Sequence, residues 1–289
     1  MRVDAHTLAV EQLELGQHAF AYYDDDEVRW EVAAAFTGRG CALGHKVIIV
    51  PDPAVSRQEA WQRITGWSGV AEQALTAGQV TCASMREIIY PDTRFSAARQ
   101  LVRLREATEG ARREGYAGLR LFIDMRWVHD LGLGTEQMLA WEASADELFT
   151  TAQFGAVCSY DRRAFEPEVV EAMRTGHPVA LLGRPGDLRA YRSDQGCHLI
   201  GDADIATRPS FRAALSAALD AAATGSALID LSRLCFLSAG CAADLLRLGA
   251  ASGCQQVVVR CSAVQARMLR RLGVGSLSWL VLEYPADAR

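Results

Sequence analysis

Apolar and polar positions along the chain switch between helical and extended spacing in alternation. Val28, Val32, Ala35 and Phe36 recur at helical intervals behind the acidic run Asp24-Asp25-Asp26, which predicts a helix with negative charge in its first turn. Gly38 and Gly40 are expected to close it before a buried strand, Val47 to Val50, that stops at Pro51. A helical region follows from Ser56 to Ala77, then a short strand around Val80 to Ala83. A longer helix runs from about Ser96 to Arg113, with Leu101, Leu104, Thr108 and Ala111 on one face. Strand Leu119 to Ile123 leads into Asp124-Met-Arg-Trp127. Beyond a loop with Gly132 and Gly134, the stripe Met138, Trp141, Ala145, Leu148 and Phe149 marks another helix, and Gly155 to Tyr160 reads as a buried strand. A helix from Pro167 to Thr175 ends before His177-Pro178.

The C-terminal third repeats the alternation. Phe211, Leu215, Ala218, Leu219 and Ala222 lie on one helical stripe, and Ala227 to Gly240, ALIDLSRLCFLSAG, is an apolar strand running through Asp-Leu-Ser to a small-residue turn that opens a helix. Strand Val257 to Arg260 and helix Ser262 to Arg271 follow. This order predicts an α/β layer fold with a largely parallel sheet. At 289 residues the chain exceeds the usual single-domain size, so two units are expected, residues 1–190 and 191–289. The segment Gly183-Arg-Pro-Gly-Asp-Leu-Arg, with its polar continuation to about Gly196, reads as the linker.

A net charge of -5 and a pI of about 5.7 leave no basic footprint for nucleic acid. No apolar run is long enough to cross a bilayer and no leader pattern opens the chain, so a cytoplasmic protein without membrane contact is expected. The eight cysteines are scattered without a C-x-x-C pair, which reads as reduced thiols.

The stretch Gly38-Arg-Gly40-Cys-Ala-Leu-Gly44-His-Lys46-Val47 fails as a phosphate loop. His45 separates glycine from lysine, Val47 replaces the hydroxyl residue, and the order is helix to strand. No Gly-x-Ser-x-Gly elbow, His-Glu-x-x-His helix or recognisable cysteine nucleophile is present, so catalysis is not expected. Ligands of parallel sheets bind beyond the carboxyl ends of the strands, where Asp124, Arg126, Trp127, Tyr160, Asp161 and Arg162 fall. An aromatic wall of Tyr23, Trp127 and Tyr160, with Asp124, Asp161 and Glu142 as carboxylates and His18 beside the first strand, forms the candidate ligand site. His18 and His177 lack a second histidine or cysteine at ligand spacing, so no metal site is expected.

Two family resemblances follow from these residues. Gly201-Asp-Ala-Asp-Ile-Ala-Thr, the strand before Asp230-Leu-Ser232 and the turn Phe236-Leu-Ser238-Ala-Gly240 resemble a STAS domain, found in sulfate transporters and anti-sigma factor antagonists. That resemblance implies a docking edge at Asp230, Ser232, Ser238 and Gly240, whose partner is an anti-sigma factor or kinase-like regulator. Where phosphorylated antagonists read Phe-x-Asp-Ser-Ser-Gly, this chain has Ser238 at the aspartate and no hydroxyl at the phosphoacceptor slot. Ser238 then reads as a helix N-cap or as a modification site of its own.

His18-Ala-Phe20-Ala-Tyr22-Tyr23, Asp124-Met-Arg-Trp127, Trp141-Glu142, Cys158-Ser-Tyr160-Asp161 and His177-Pro178 resemble a MEDS domain over about residues 16 to 183. Phe20 stands at the cysteine of that family's His-x-Cys-x-x-Tyr pattern. The resemblance implies a RecA/KaiC-like sheet domain that senses small organic signals, followed by a smaller STAS-like α/β domain. No cofactor is expected beyond a small organic ligand or nucleotide. Together these imply a cytoplasmic signal-transduction regulator that acts on an anti-sigma factor or related partner to alter transcription, with surfaces that allow a homodimer. The alternatives are a degenerate RecA-like nucleotide-binding protein or weak ATPase, and a structural interaction protein whose first domain has lost its ligand.

Overall fold

A computed structural model of the chain describes residues 4, 6–67, 70–84, 96–131, 134–222 and 225–285. Gly132 of the expected loop lies outside them. The residues form two compact units, one of Leu13–Pro185 and one of Met1–Gln12 with Gly186–Arg289. The first twelve residues, which include the short strand β1 (Thr7–Leu8), therefore group with the C-terminal unit rather than with residues 1–190 as expected. Gln12 Nε2 donates to the Arg233 carbonyl at 2.9 Å and Arg233 Nη1 donates to the Thr7 carbonyl at 3.1 Å, contacts that no local pattern announces.

In the unit of residues 13–185, strands β2 (His18–Tyr23), β3 (Lys46–Val50), β4 (Val80–Cys82), β5 (Leu119–Asp124), β6 (Phe154–Asp161) and β7 (Val179–Leu181) lie in the order β7-β2-β6-β5-β3-β4. All their pairings are parallel, as the alternation predicts. Helices α1 (Asp26–Ala42), α2 (Arg57–Trp67), α3 (Val70–Thr76), α4 (Ala97–Arg113), α5 (Thr135–Phe149) and α6 (Pro167–Gly176) cover the sheet. Successive side chains of a strand point to opposite faces. Phe122 therefore meets Phe36 of α1, whereas Leu121 and Ile123 join Phe20, Cys158 and Tyr160 in a core closed by Leu104, Met138, Trp141 and Met173.

Asp25 caps α1 by accepting from Glu27 N–H at 2.9 Å. The helix does not stop at Gly38 and Gly40 but runs to Ala42 and is closed by Gly44, whose φ of +71° suits a residue without Cβ. Gly40 is needed for packing instead, because a Cβ there would sit 2.7 Å from Val47 Cγ2. The single helical region expected over 56–77 is two helices, α2 and α3.

The other unit holds β8 (Leu188–Ser193), β9 (Gly196–Ala203), β10 (Ser226–Leu237), β11 (Gln256–Arg260) and β12 (Leu280–Glu283) in the order β12-β11-β10-β9-β8. Strands β9 to β12 run parallel and β8 is antiparallel to β9. Helices α7 (Arg208–Ala222), α8 (Ala239–Ala251) and α9 (Ala263–Arg271) pack Phe211, Leu215, Leu245 and Leu269 onto Leu199, Ile229, Leu231 and Val259. Much of the expected linker is thus strand β8. Of its residues Leu188 alone is fully buried, so its polar pattern imitates a connection. Among the described residues no helix is long and apolar enough to cross a membrane.

Candidate functional site

Every residue expected to bind ligand is at most 3% exposed, and the sheet separates them into two groups. Tyr23 and Asp124 leave β2 and β5 on the α1 face. There Tyr23 Oη donates to Asp124 Oδ2 at 2.6 Å, and Arg29 Nη1 of α1 donates to the same oxygen at 2.9 Å. Burial, and then the charge of Asp124, raises the Tyr23 phenol, so it stays protonated and donates. Asp161 lies at the end of β6 and accepts from Arg163 Nε at 2.8 Å, while Arg126 reaches Asp52 at 3.2 Å and Asp161 at 3.6 Å. Burial alone would raise Asp161, but the Arg163 hydrogen bonds outweigh it and hold the carboxyl below its ordinary range. This strand-end cluster is filled and neutralised by its own arginines, which the helical stripes did not single out.

His18, Glu142 and Tyr160 face the other way, and there the fold adds Cys158 and His177, which the sequence reading names but does not place in the ligand site. In register, Phe20 of β2 lies opposite Cys158 of β6, so the thiol missing from position 20 is supplied one strand over. His18 Nε2 is 3.4 Å from Cys158 Sγ and 3.3 Å from Glu142 Oε2. His177 follows α6 and brings its Nε2 to 3.6 Å from the same Glu142 oxygen. The donor atoms of His18, Glu142, Cys158 and His177 all lie within 4.8 Å of one another and all four residues are buried. Tyr160 Oη donates to Glu142 Oε1 at 2.9 Å. Trp127 stands nearby, edge-on to Trp141 with ring centroids 5.8 Å apart.

Burial dominates the electrostatics of this cluster. It pushes Glu142 up to about 7, lowers His177 to about 4 against the opposing bond to Met173, and lowers His18 well below its ordinary value with help from His177. The Cys158 thiol is raised by burial and by Glu142. A cleft of about 470 Å³, lined by Gly16, Asp146, Phe149, Thr150, Thr175 and His177 among others, lies alongside. Phe149 and His177 both line it, and the Phe149 ring stacks on His18 at 4.5 Å. The donors come from two strands, a helix and a helix terminus, so no local spacing announces them.

In the C-terminal unit the expected docking residues also divide. Asp230 accepts from Ser232 N–H at 2.9 Å and from Ser232 Oγ at 2.6 Å, and it lies 3.2 Å from His198 Nδ1. His198 Nε2 in turn meets Ser193 Oγ at 2.8 Å, which ties the β8–β9 hairpin to β10. Ser238 and Gly240 lie beyond the end of β10, with Ser238 six residues past Ser232, a run of about 20 Å at strand rise. Ser238 is the N-cap of α8, accepting from Cys241 N–H at 3.2 Å and donating its own N–H to the Ala203 carbonyl at 2.8 Å. Phe236, two residues before Ser238, is 53% exposed, and Ile205, two residues after Ala203, is 86% exposed. Arg208 stands next to this corner, paired with Asp244 at 2.5 Å.

Residues 17–178 match the family MEDS, described as MEthanogen/methylotroph, DcmR Sensory domain, and residues 188–282 match STAS_2, described as Mlab, STAS domain. No curated protein matches the chain. Among solved structures the chain is similar to a KaiC-like protein of the archaeon Pyrococcus horikoshii OT3, at 9% identity over 69% of this chain and 87% of that one, with a TM-score of 0.43. It is also similar to the flagellar accessory protein FlaH of Methanocaldococcus jannaschii, at 8% identity over 65% and 80% of the two chains, with a TM-score of 0.40. The two matched domains give the chain a regulatory or sensory role. With its sensory domain spanning more than half its length and a STAS domain after it, the chain belongs to the MEDS family.

Proposed function

We propose that this chain is a cytoplasmic signalling regulator whose MEDS unit receives a small-molecule signal and whose STAS unit docks on an anti-sigma factor or a related kinase-like regulator, altering transcription. The observation that carries the reading is the corner at Ser238. Two large apolar side chains, Ile205 and Phe236, stand in water beside a capped helix start, and water-exposed side chains of that size are the anchors that protein interfaces bury. The reading is one of binding rather than turnover. Gly38 and Gly40, the glycines nearest to a phosphate-loop pattern, lie inside α1. Coupling between signal and docking requires the signal to bind one state of the chain more tightly than another.

The test is direct binding of the purified full chain to a purified kinase-like anti-sigma factor from the same genome, measured by biolayer interferometry. Binding is expected, and Ile205→Asp and Phe236→Asp are each expected to weaken it by about tenfold or more. Absence of binding to such regulators, or binding untouched by both changes, would sink the assignment.

A further inference from the structure

The cluster at the cleft contains a buried ring nitrogen, His177 Nε2, that faces other donors without a hydrogen-bond partner. His177 Nδ1 lies 2.7 Å from the Met173 carbonyl, and a carbonyl only accepts, so Nδ1 carries the ring hydrogen. That fixes the tautomer and leaves Nε2 with a bare lone pair, buried and without a hydrogen-bond partner, aimed at Glu142 Oε2 3.6 Å away. Imidazole locked by a carbonyl at its far nitrogen is the arrangement that orients histidine ligands of metals. Tyr160 does the same for the carboxylate, engaging Oε1 and leaving Oε2 turned to both histidines. Among the described residues Glu142 forms its ion pairs with these two histidines, and no arginine or lysine neutralises it.

Three of the six donor separations already suit one ion, and all six lie within 4.8 Å. Bonds of about 2.0–2.3 Å in a tetrahedral zinc centre set donor-to-donor edges of about 3.3–3.8 Å. His18 to Glu142, His18 to Cys158 and His177 to Glu142 measure 3.3, 3.4 and 3.6 Å. Two imidazoles, a thiolate and a carboxylate form a donor set of borderline softness, which selects against magnesium and calcium.

We propose that His18, Glu142, Cys158 and His177 form a four-donor site for a borderline divalent d-block cation, zinc foremost. The ion enters from the cleft past Phe149, displaces the thiol proton of Cys158 to solvent, and joins β2, β6, α5 and the end of α6 through one centre. Four protein donors leave no open position, so the ion holds these elements together rather than activating water. The site is separate from the docking reading and stands or falls apart from it.

The full chain, stripped with chelator and dialysed, is titrated with Co²⁺ and with Zn²⁺. One Co²⁺ per chain is expected, with visible bands of tetrahedral intensity and a thiolate-to-cobalt charge-transfer band in the near ultraviolet. Cys158→Ser is expected to abolish the charge-transfer band. His177→Ala is expected to weaken Zn²⁺ binding by more than the about 10–100-fold that loss of an outer partner costs. Tyr160→Phe keeps the ring and removes only the hydrogen bond to Glu142, so it tests the site without opening the core; a loss of about tenfold is expected. The proposal is overturned if the folded wild-type chain gives no charge-transfer band. It is equally overturned if binding of one ion per chain survives these substitutions unchanged. Should Cys158→Ser or His177→Ala fail to fold by circular dichroism, the wild-type cobalt spectrum and Tyr160→Phe decide.

Discussion

At the scale of single residues, the strand-end cluster shows how much a buried charge depends on its partner. Asp124 is fully buried and holds Arg29 and Tyr23 through one oxygen. Arg29→Ala would strand that carboxylate, and a cost of about 3–5 kcal/mol is expected in chemical denaturation. Tyr23→Phe removes one hydrogen bond to the same carboxylate and should cost about 1.5–3 kcal/mol. Because both act on the same oxygen, the double change is expected to depart from the sum of the two. Asp244 behaves differently. The Arg208 hydrogen bond holds its carboxyl below the ordinary range, so the stabilisation it contributes is complete above a pH of about 4 and disappears as pH falls through the lower folded-state value. The Tm gap between wild type and Asp244→Asn should therefore be open at neutral pH and close in acid below about pH 4; a gap that persists there would refute this. The sequence placed Tyr23 and Asp124 at strand ends because strand termini are visible in apolar runs. Arg29 was not legible, since a charged side chain on an apolar helix stripe looks like a solvated one until its partner is known.

At the scale of elements, most helices and strands of both units were legible within a few residues, because apolar periodicity records which face is buried. Two departures have physical causes. Strand β8 carries only one buried side chain, so its sequence resembles a polar connection, and its strand character comes from the antiparallel ladder with β9. Helix α1 passes through Gly38 and Gly40 because the adjoining sheet needs α1 close to Val47, an approach that local propensity does not record. Gly40→Ala would raise stability by about 1 kcal/mol on an exposed helix, but here it should lower stability by about 1–3 kcal/mol, read from the denaturation midpoint. The cluster of His18, Glu142, Cys158 and His177 was illegible for a related reason. His18 and Cys158 are 140 positions apart, and only the parallel pairing of β2 with β6 makes them neighbours.

At the scale of the molecule, each unit has its own core, and each core is a separate site of vulnerability. Leu245 is fully buried among Phe211, Leu215 and Ile229, and Leu245→Ala should cost about 2–5 kcal/mol. Hydrogen exchange followed by mass spectrometry is expected to show the loss first in β9 to β11, and unchanged protection there would contradict the packing described. The distribution of thiols across the whole chain has a practical outcome. Cys235 is exposed while the other cysteines are buried or half-buried, and it sits three positions ahead of Ser238. A maleimide dye applied in limiting amount to the unaltered protein should therefore settle on that one sulfur, giving a fluorescent reporter beside the Ile205–Phe236 surface without any engineered cysteine.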